Sequence, residues 1–199
     1  MWKIGLTGSI ATGKSTVRQM FADLGVPTFS SDDAVHELYA GAAVAPVEAL
    51  FPGVTRDGAI DRNELSQRVI GQPERLKALE AVVHPLVRAR IAQFIEDAQS
   101  TGAPLAIVDI PLLLESGHDY GLDRVLVTMA PDETLRARAL ARPGMTVEKL
   151  DAILARQMPQ DEKMRRADYV IYTEKSLTET RAAVKAIVDV LTTNPEPIA

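Results

Sequence analysis

The chain has no cysteine among its 199 residues. That excludes disulfide staples and thiolate metal sites, and it fits a reducing compartment. It also has no excess of positive charge: 22 Lys and Arg stand against 27 Asp and Glu, a formal charge of −5. A general nucleic-acid binder is more often basic, so nucleic acid is not an expected partner, and any bound anion must be held by a local site. No apolar run is long enough to span a bilayer, so no membrane partner is expected. The first residues lack the charged leader, apolar block and cleavage site of a secretory signal, which makes cytoplasm the expected compartment. Internal repeats and low-complexity tracts are missing too. What is present is the balance of a soluble globular chain, 46% hydrophobic and 25% charged, long enough for one well-buried core.

Five short apolar, β-prone runs stand out: Lys3 to Thr7, Val26 to Phe29, Leu105 to Asp109, Arg124 to Thr128 and Asp168 to Tyr172. Continuous apolar runs suit strands covered on both faces, as parallel strands are. Helical patterns separate them. In Lys14 to Leu24 the apolar Val17, Met20, Phe21 and Leu24 recur at helical spacing, and Gly25 stops the run. Strand and helix in alternation predict an α/β fold with a five-stranded parallel sheet. Two intervals exceed a simple crossover. Residues 33–103 show three-and-four spacing over Leu65 to Val69, Leu76 to Val83 and Leu86 to Ile95, and predict a helical region that grips a substrate. Residues 131–166 are charged and arginine-rich and predict a mobile lid. The core is then 1–32, 104–130 and 167–199 of a single domain. The tail "TTNPEPIA" is expected to fray. Nothing in the pattern fixes an oligomeric state.

The stretch "GLTGSIATGKST" follows the first predicted strand and opens the first predicted helix. Gly8, Gly13, Lys14 and Ser15 match G-x-x-x-x-G-K-[ST]. The glycines let successive backbone N–H groups turn inward around phosphate oxygens, with Ala11, Thr12 and Thr16 completing the loop. Gly13 delivers the chain to a helix whose positive dipole end faces the anion. Lys14 reaches the β and γ phosphates of ATP, and Ser15 can ligate Mg²⁺. The plain alternative, a chance glycine turn with a surface lysine, lacks a reason for the strand–loop–helix context. The guanine-switch patterns N-K-x-D and D-x-x-G occur nowhere. The chain is short for a motor or transporter ATPase, which leaves a small-molecule kinase.

The ordered blocks "GLTGSIATGKSTV", "LGVPTFSSDDAVHEL", "HPLVRARI", "VDIPLLLESG" and "ARQMPQDEKMRRADYVI" run almost end to end. With them the chain resembles the dephospho-coenzyme A kinases. The resemblance implies transfer of the ATP γ-phosphate to the ribose 3′-hydroxyl of dephospho-coenzyme A, with Mg²⁺. The implied fold is a nucleoside-monophosphate-kinase-like sheet with an acceptor region and a lid. Two other readings stand beside it: a P-loop kinase acting on a nucleoside, nucleotide or sugar, and a non-catalytic nucleotide-binding module.

The resemblance also implies roles for particular residues. Asp32 follows the second strand at the sheet's carboxyl edge and matches the acid that meets the acceptor hydroxyl. It could also cap the next helix. The family usually has a second acid two positions earlier, where this chain has Ser30. Asp109 ends the third run and is assigned to magnesium or to the acceptor. Leu112 and Glu115 follow on the acceptor side, Glu115 being equally readable as a solvated acid at a helix end. His84 precedes Pro85, which is expected to begin a helix; His84 is either structural or an acceptor contact. Arg138 and Arg142 lie four apart in the lid, where guanidinium groups suit a transferring phosphate or an adenine face. The family pattern favours Arg142, and a merely solvated basic face is the alternative. Arg136 lies in the same interval, and the resemblance makes Arg156 and Gln157, in the matched "ARQMP" segment, further candidates to face the phosphates. Thr173 replaces the asparagine expected near adenine. Ala11 replaces a common glycine, a change tolerated if that residue does not need a positive φ.

Overall fold

The computed structural model describes residues 1–193. From the N-terminus the elements are β1 (Trp2–Gly8), α1 (Lys14–Asp23), β2 (Thr28–Ser30), α2 (Ser31–Leu38) and α3 (Val44–Leu50). Then come β3 (Thr55–Arg56), β4 (Ala59–Ile60), α4 (Arg62–Val69), α5 (Pro73–Ser100) and β5 (Leu105–Asp109). The remainder is β6 (Arg124–Met129), α6 (Asp132–Leu140), α7 (Val147–Leu154), α8 (Gln160–Arg165), β7 (Tyr169–Tyr172) and α9 (Leu177–Thr193). Backbone contacts divide the chain into two compact units, Met1–Phe29 with the chain from Ile95 onward, and Ser30–Phe94.

The first unit is built on a five-stranded sheet in the order β2-β5-β1-β6-β7. β1 pairs in parallel with β5 on one side (Ile4 opposite Ile107) and with β6 on the other (Leu6 opposite Leu126), and β6 pairs in parallel with β7. These are the five apolar runs of the sequence. The central strands are covered on both faces, which is why they carry no polar–apolar alternation. Val17, Met20 and Phe21 of α1 are buried one turn apart against Ile4, Leu6, Leu105, Ile107, Leu126 and Ile171, with Val184 and Leu191 of α9 in the same core. The first two residues of the expected frayed tail, Thr192 and Thr193, continue α9; positions 194–199 lie outside the described residues.

In the second unit, β3 and β4 form a small antiparallel hairpin. It interrupts the helical region that the spacing predicts for residues 33–103. Ile60 N–H donates to Tyr39 O at 2.8 Å, which ties the hairpin to the residue after α2, and Asp61 N–H donates to Val54 O at 2.8 Å, which closes the hairpin's open end. The side chain of Asp61 then caps α4 by accepting from Asn63 and Glu64 N–H. Pro85 does not begin a helix, contrary to expectation: it lies inside α5, which starts at Pro73. The apolar stripe Leu79, Val83, Val87 and Ile91 is buried without a break on both sides of it. Pro85 itself is exposed, so the Ala81 carbonyl that loses its N–H partner faces the solvent side.

Candidate active site

The chain leaves β1 at Gly8 and enters α1 at Lys14, and the intervening bend is braced from several directions within the first unit. Gly8 is needed for close approach: a Cβ there would lie 2.2 Å from Thr128 Oγ1 and 2.9 Å from Thr128 O. Gly13 is needed for conformation, at φ 84. Thr12 is fully buried; its hydroxyl donates to Ser9 O at 2.8 Å and shares a 2.8 Å hydrogen bond with the Thr128 hydroxyl. Ile10 N–H donates to Gln157 Oε1 at 3.0 Å. The tolerance expected for Ala11 rested on an ordinary φ, and that condition fails: Ala11 sits at φ 60. An L-residue there is strained by about 1–2 kcal/mol. Its methyl group is buried with Ala139 and Leu150, which offsets part of that strain.

Lys14 reaches from the first turn of α1 to the end of β5, where its ammonium pairs with Asp109 Oδ1. Arg18, one turn further along α1, brings its Nε to 3.5 Å from Asp109 Oδ2. Asp109 is 3% exposed, so this carboxylate is a buried anchor for two cations at the carboxyl edge of the sheet. Arg18 was not anticipated; its i+4 spacing from Lys14 was the available signal. Ser15 and Thr16 are exposed on the same helical turn. Among the described residues no group of three or more His, Cys, Asp or Glu could hold a metal ion. The Ser15 hydroxyl and the Asp109 carboxylate are oxygen donors of the kind that would suit Mg²⁺ arriving with nucleotide phosphates.

The other predicted residues of this unit fall into different places. Leu112 is exposed, just beyond β5. Glu115 Oε1 accepts from Lys163 Nζ at 2.6 Å and from Met158 N–H at 2.9 Å. Lys163 is completely buried and was missed by sequence reasoning, because nothing local marks a lysine as interior. Arg136 pairs with Asp151 at 2.8 Å, joining α6 to α7. Arg138 donates to the hydroxyl and the carbonyl of Thr173. Arg142 is exposed just past α6. Lys14 and Asp109 are thus brought together, whereas Arg138 and Arg142 serve different surroundings.

In the second unit, Ser30 rather than Asp32 caps α2, its side chain accepting from Asp33 N–H at 3.1 Å. Asp32 is left exposed in the first turn, where the helix dipole favours a carboxylate. It lines an open cleft of about 650 Å³ with Asp33, Val35, His36, Glu37 and Arg62. Arg62 gives this acidic cleft a guanidinium that the sequence did not single out. Burial raises the hydroxyl of nearby Tyr39 above its ordinary pKa, and Arg62 works against that rise. His84 is exposed on α5, apart from the residues that line this cleft.

A parallel sheet whose first strand feeds a phosphate-binding loop, with the loop lysine at the carboxyl edge, defines a P-loop kinase. A shikimate kinase from Bacteroides thetaiotaomicron shares that fold alone, at 15% identity and a TM-score of 0.53. The family model of dephospho-CoA kinase matches residues 2–179. A protein named Dephospho-CoA kinase from Rhizobium meliloti (strain 1021) is 52% identical over 186 residues, 94% of this chain and 96% of its own length. One from Mesorhizobium japonicum is 53% identical over 188 residues, 94% of this chain and 95% of its own. The solved dephospho-CoA kinase from Campylobacter jejuni superposes with a TM-score of 0.68 at 26% identity, covering 96% of this chain and 97% of its own. The chain belongs to the dephospho-CoA kinase family.

Proposed function

We propose that the protein transfers the γ-phosphoryl group of ATP to the ribose 3′-hydroxyl of dephospho-coenzyme A, giving coenzyme A and ADP. The observation that carries this reading is the family match over residues 2–179, which includes the phosphate loop and the acidic segment around Asp32. Backbone N–H groups of Ala11 to Ser15 bind the phosphates, and the ammonium of Lys14 moves from Asp109 onto the β and γ oxygens. The Ser15 hydroxyl and the Asp109 carboxylate would hold magnesium, which would supply neutralisation of phosphate charge. Asp32 orients the acceptor hydroxyl and takes its proton as the new P–O bond forms and the bond to ADP breaks. Arg142 meets charge on the transferring group. Residues 33–103 grip the acceptor and residues 131–166 act as a lid, in a cytoplasmic enzyme whose substrates are small molecules.

The test is coenzyme A formation from ATP, Mg²⁺ and dephospho-coenzyme A, run beside a panel of nucleoside, nucleotide and sugar acceptors. Turnover with dephospho-coenzyme A is expected. Preference for another acceptor, or no turnover by folded protein, overturns the proposal. Asp32→Asn should lose turnover by about 10³-fold or more while ATP binding persists. A near-normal rate in that variant would remove Asp32 from the chemistry.

A further inference from the structure

The hydroxyl of Thr173 has one hydrogen and two carbonyl oxygens within reach, Thr12 O at 2.8 Å and Met129 O at 3.2 Å. Met129 O already accepts from Thr173 N–H at 2.9 Å. The hydroxyl hydrogen therefore goes to Thr12 O, and a lone pair accepts from Arg138 Nη1 at 3.1 Å. Arg138 Nη2 closes the ring of contacts on Thr173 O at 2.7 Å. Thr173 is buried, and its side-chain atoms stand 3.3 Å from where a Cβ on Gly13 would lie.

What the hydroxyl grips is the peptide joining Thr12 to Gly13. A trans peptide is planar, and its C=O and N–H point in opposite directions. Holding Thr12 O against Thr173 therefore turns Gly13 N–H away from Thr173. Glycine accepts either sign of φ, so a Thr12–Gly13 peptide without an anchor could flip and withdraw that donor. The resemblance expects a nucleotide-base contact at this position. The geometry points to a different task.

We propose that Thr173 is a positioning residue for the phosphate loop. It locks the Thr12–Gly13 peptide so that Gly13 N–H serves the bound phosphate, and Arg138 braces it. This rests on ATP binding at the loop, as proposed above, so ATP binding is measured directly by calorimetry and separately from turnover. Thr173→Val keeps the shape and removes the hydroxyl. It should weaken ATP binding and raise the KM for ATP about tenfold, the scale of one buried hydrogen bond. The KM for the acceptor should stay within about twofold, since that part of the reaction makes no use of this peptide. Thr173→Ser should restore ATP binding to within about twofold of the parent. Equal ATP binding by Thr173→Val and the parent overturns the inference, and so does a Thr173→Ser variant as weak as Thr173→Val. Should Thr173→Val fail to fold, Arg138→Gln removes the brace and keeps the hydroxyl. It should weaken ATP about threefold, and unchanged binding overturns the inference. A parent protein that binds no ATP would overturn the proposed function, and this inference with it.

Discussion

Glu115→Gln should destabilise the fold by about 4 kcal/mol, because of what it leaves behind. The side chain of Lys163 is 0% exposed and that of Glu115 15%. Glutamine keeps an oxygen for Met158 N–H and Lys163 Nζ but removes the negative charge, so the ammonium stays buried without a counter-ion. Glu115 Oε2 is buried with no hydrogen-bond partner among the described residues, so a glutamine NH₂ in its place also lacks an acceptor. Breaking a buried pair from one side costs about 3–5 kcal/mol, and complete burial of the cation places this case in the upper part of that range. Lys163→Met is the gentler change, at about 2 kcal/mol, because the carboxylate left behind keeps its hydrogen bond from Met158 N–H and belongs to the less buried of the two side chains. The double variant holds no buried charge and should cost about 1 kcal/mol, less than either single change. Urea unfolding followed by circular dichroism measures all three. With a slope of about 2–3 kcal/mol per M, Glu115→Gln lowers the midpoint by about 1.3–2 M. If the two single costs simply add in the double variant, or if Glu115→Gln costs under about 1 kcal/mol, the ion pair is not the strut described. An acceptor KM raised at unchanged stability would then return Glu115 to the substrate side.

Gly8→Ala forces a methyl group into the hydroxyl and carbonyl of Thr128, so it should destabilise the protein by about 2–3 kcal/mol and weaken ATP binding. A melting temperature within about 2 °C of the parent would show that β1 and β6 can part without penalty. The proposed lid is pinned at one end, because Gln157 holds Ile10 N–H, Gln160 holds Ala130 O, and Lys163 holds Glu115. Arg138 is held on Thr173, and Ala139 and Leu150 are buried with Ala11, so closure should be confined to roughly residues 140–149, and ATP plus acceptor should slow subtilisin cutting there but not at 157–166. Equal cutting with and without both substrates would mean a fixed helical arm.

The parallel sheet was legible because each strand is a short apolar run bounded by breakers, and the phosphate loop because its residue types and spacing are dictated by the anion. The hairpin at residues 55–60 carries only a turn signal. Asp57 and Gly58, at φ 50 and 78, are the Asp-Gly pair of a tight hairpin turn, but strands of two residues carry no periodicity of their own. Pro85 misled because proline is a local cue, whereas the buried stripe from Leu79 to Ile91 that carries α5 past it is a tertiary one. The partners of the site's cations are not written in the local sequence. Whether an arginine meets substrate, as assigned to Arg142, or a threonine 35 residues away, as Arg138 does, depends on packing that spacing does not encode.

The braces on the phosphate loop come from β6, from the segment between α7 and α8 and from the residue after β7, and each fixes a different peptide or side chain of the same bend. A cradle held from outside in this way has little left to rearrange when an anion arrives. Capture of nucleotide is then governed by encounter and orientation, and differences in grip between one triphosphate and another are expressed in how slowly each departs.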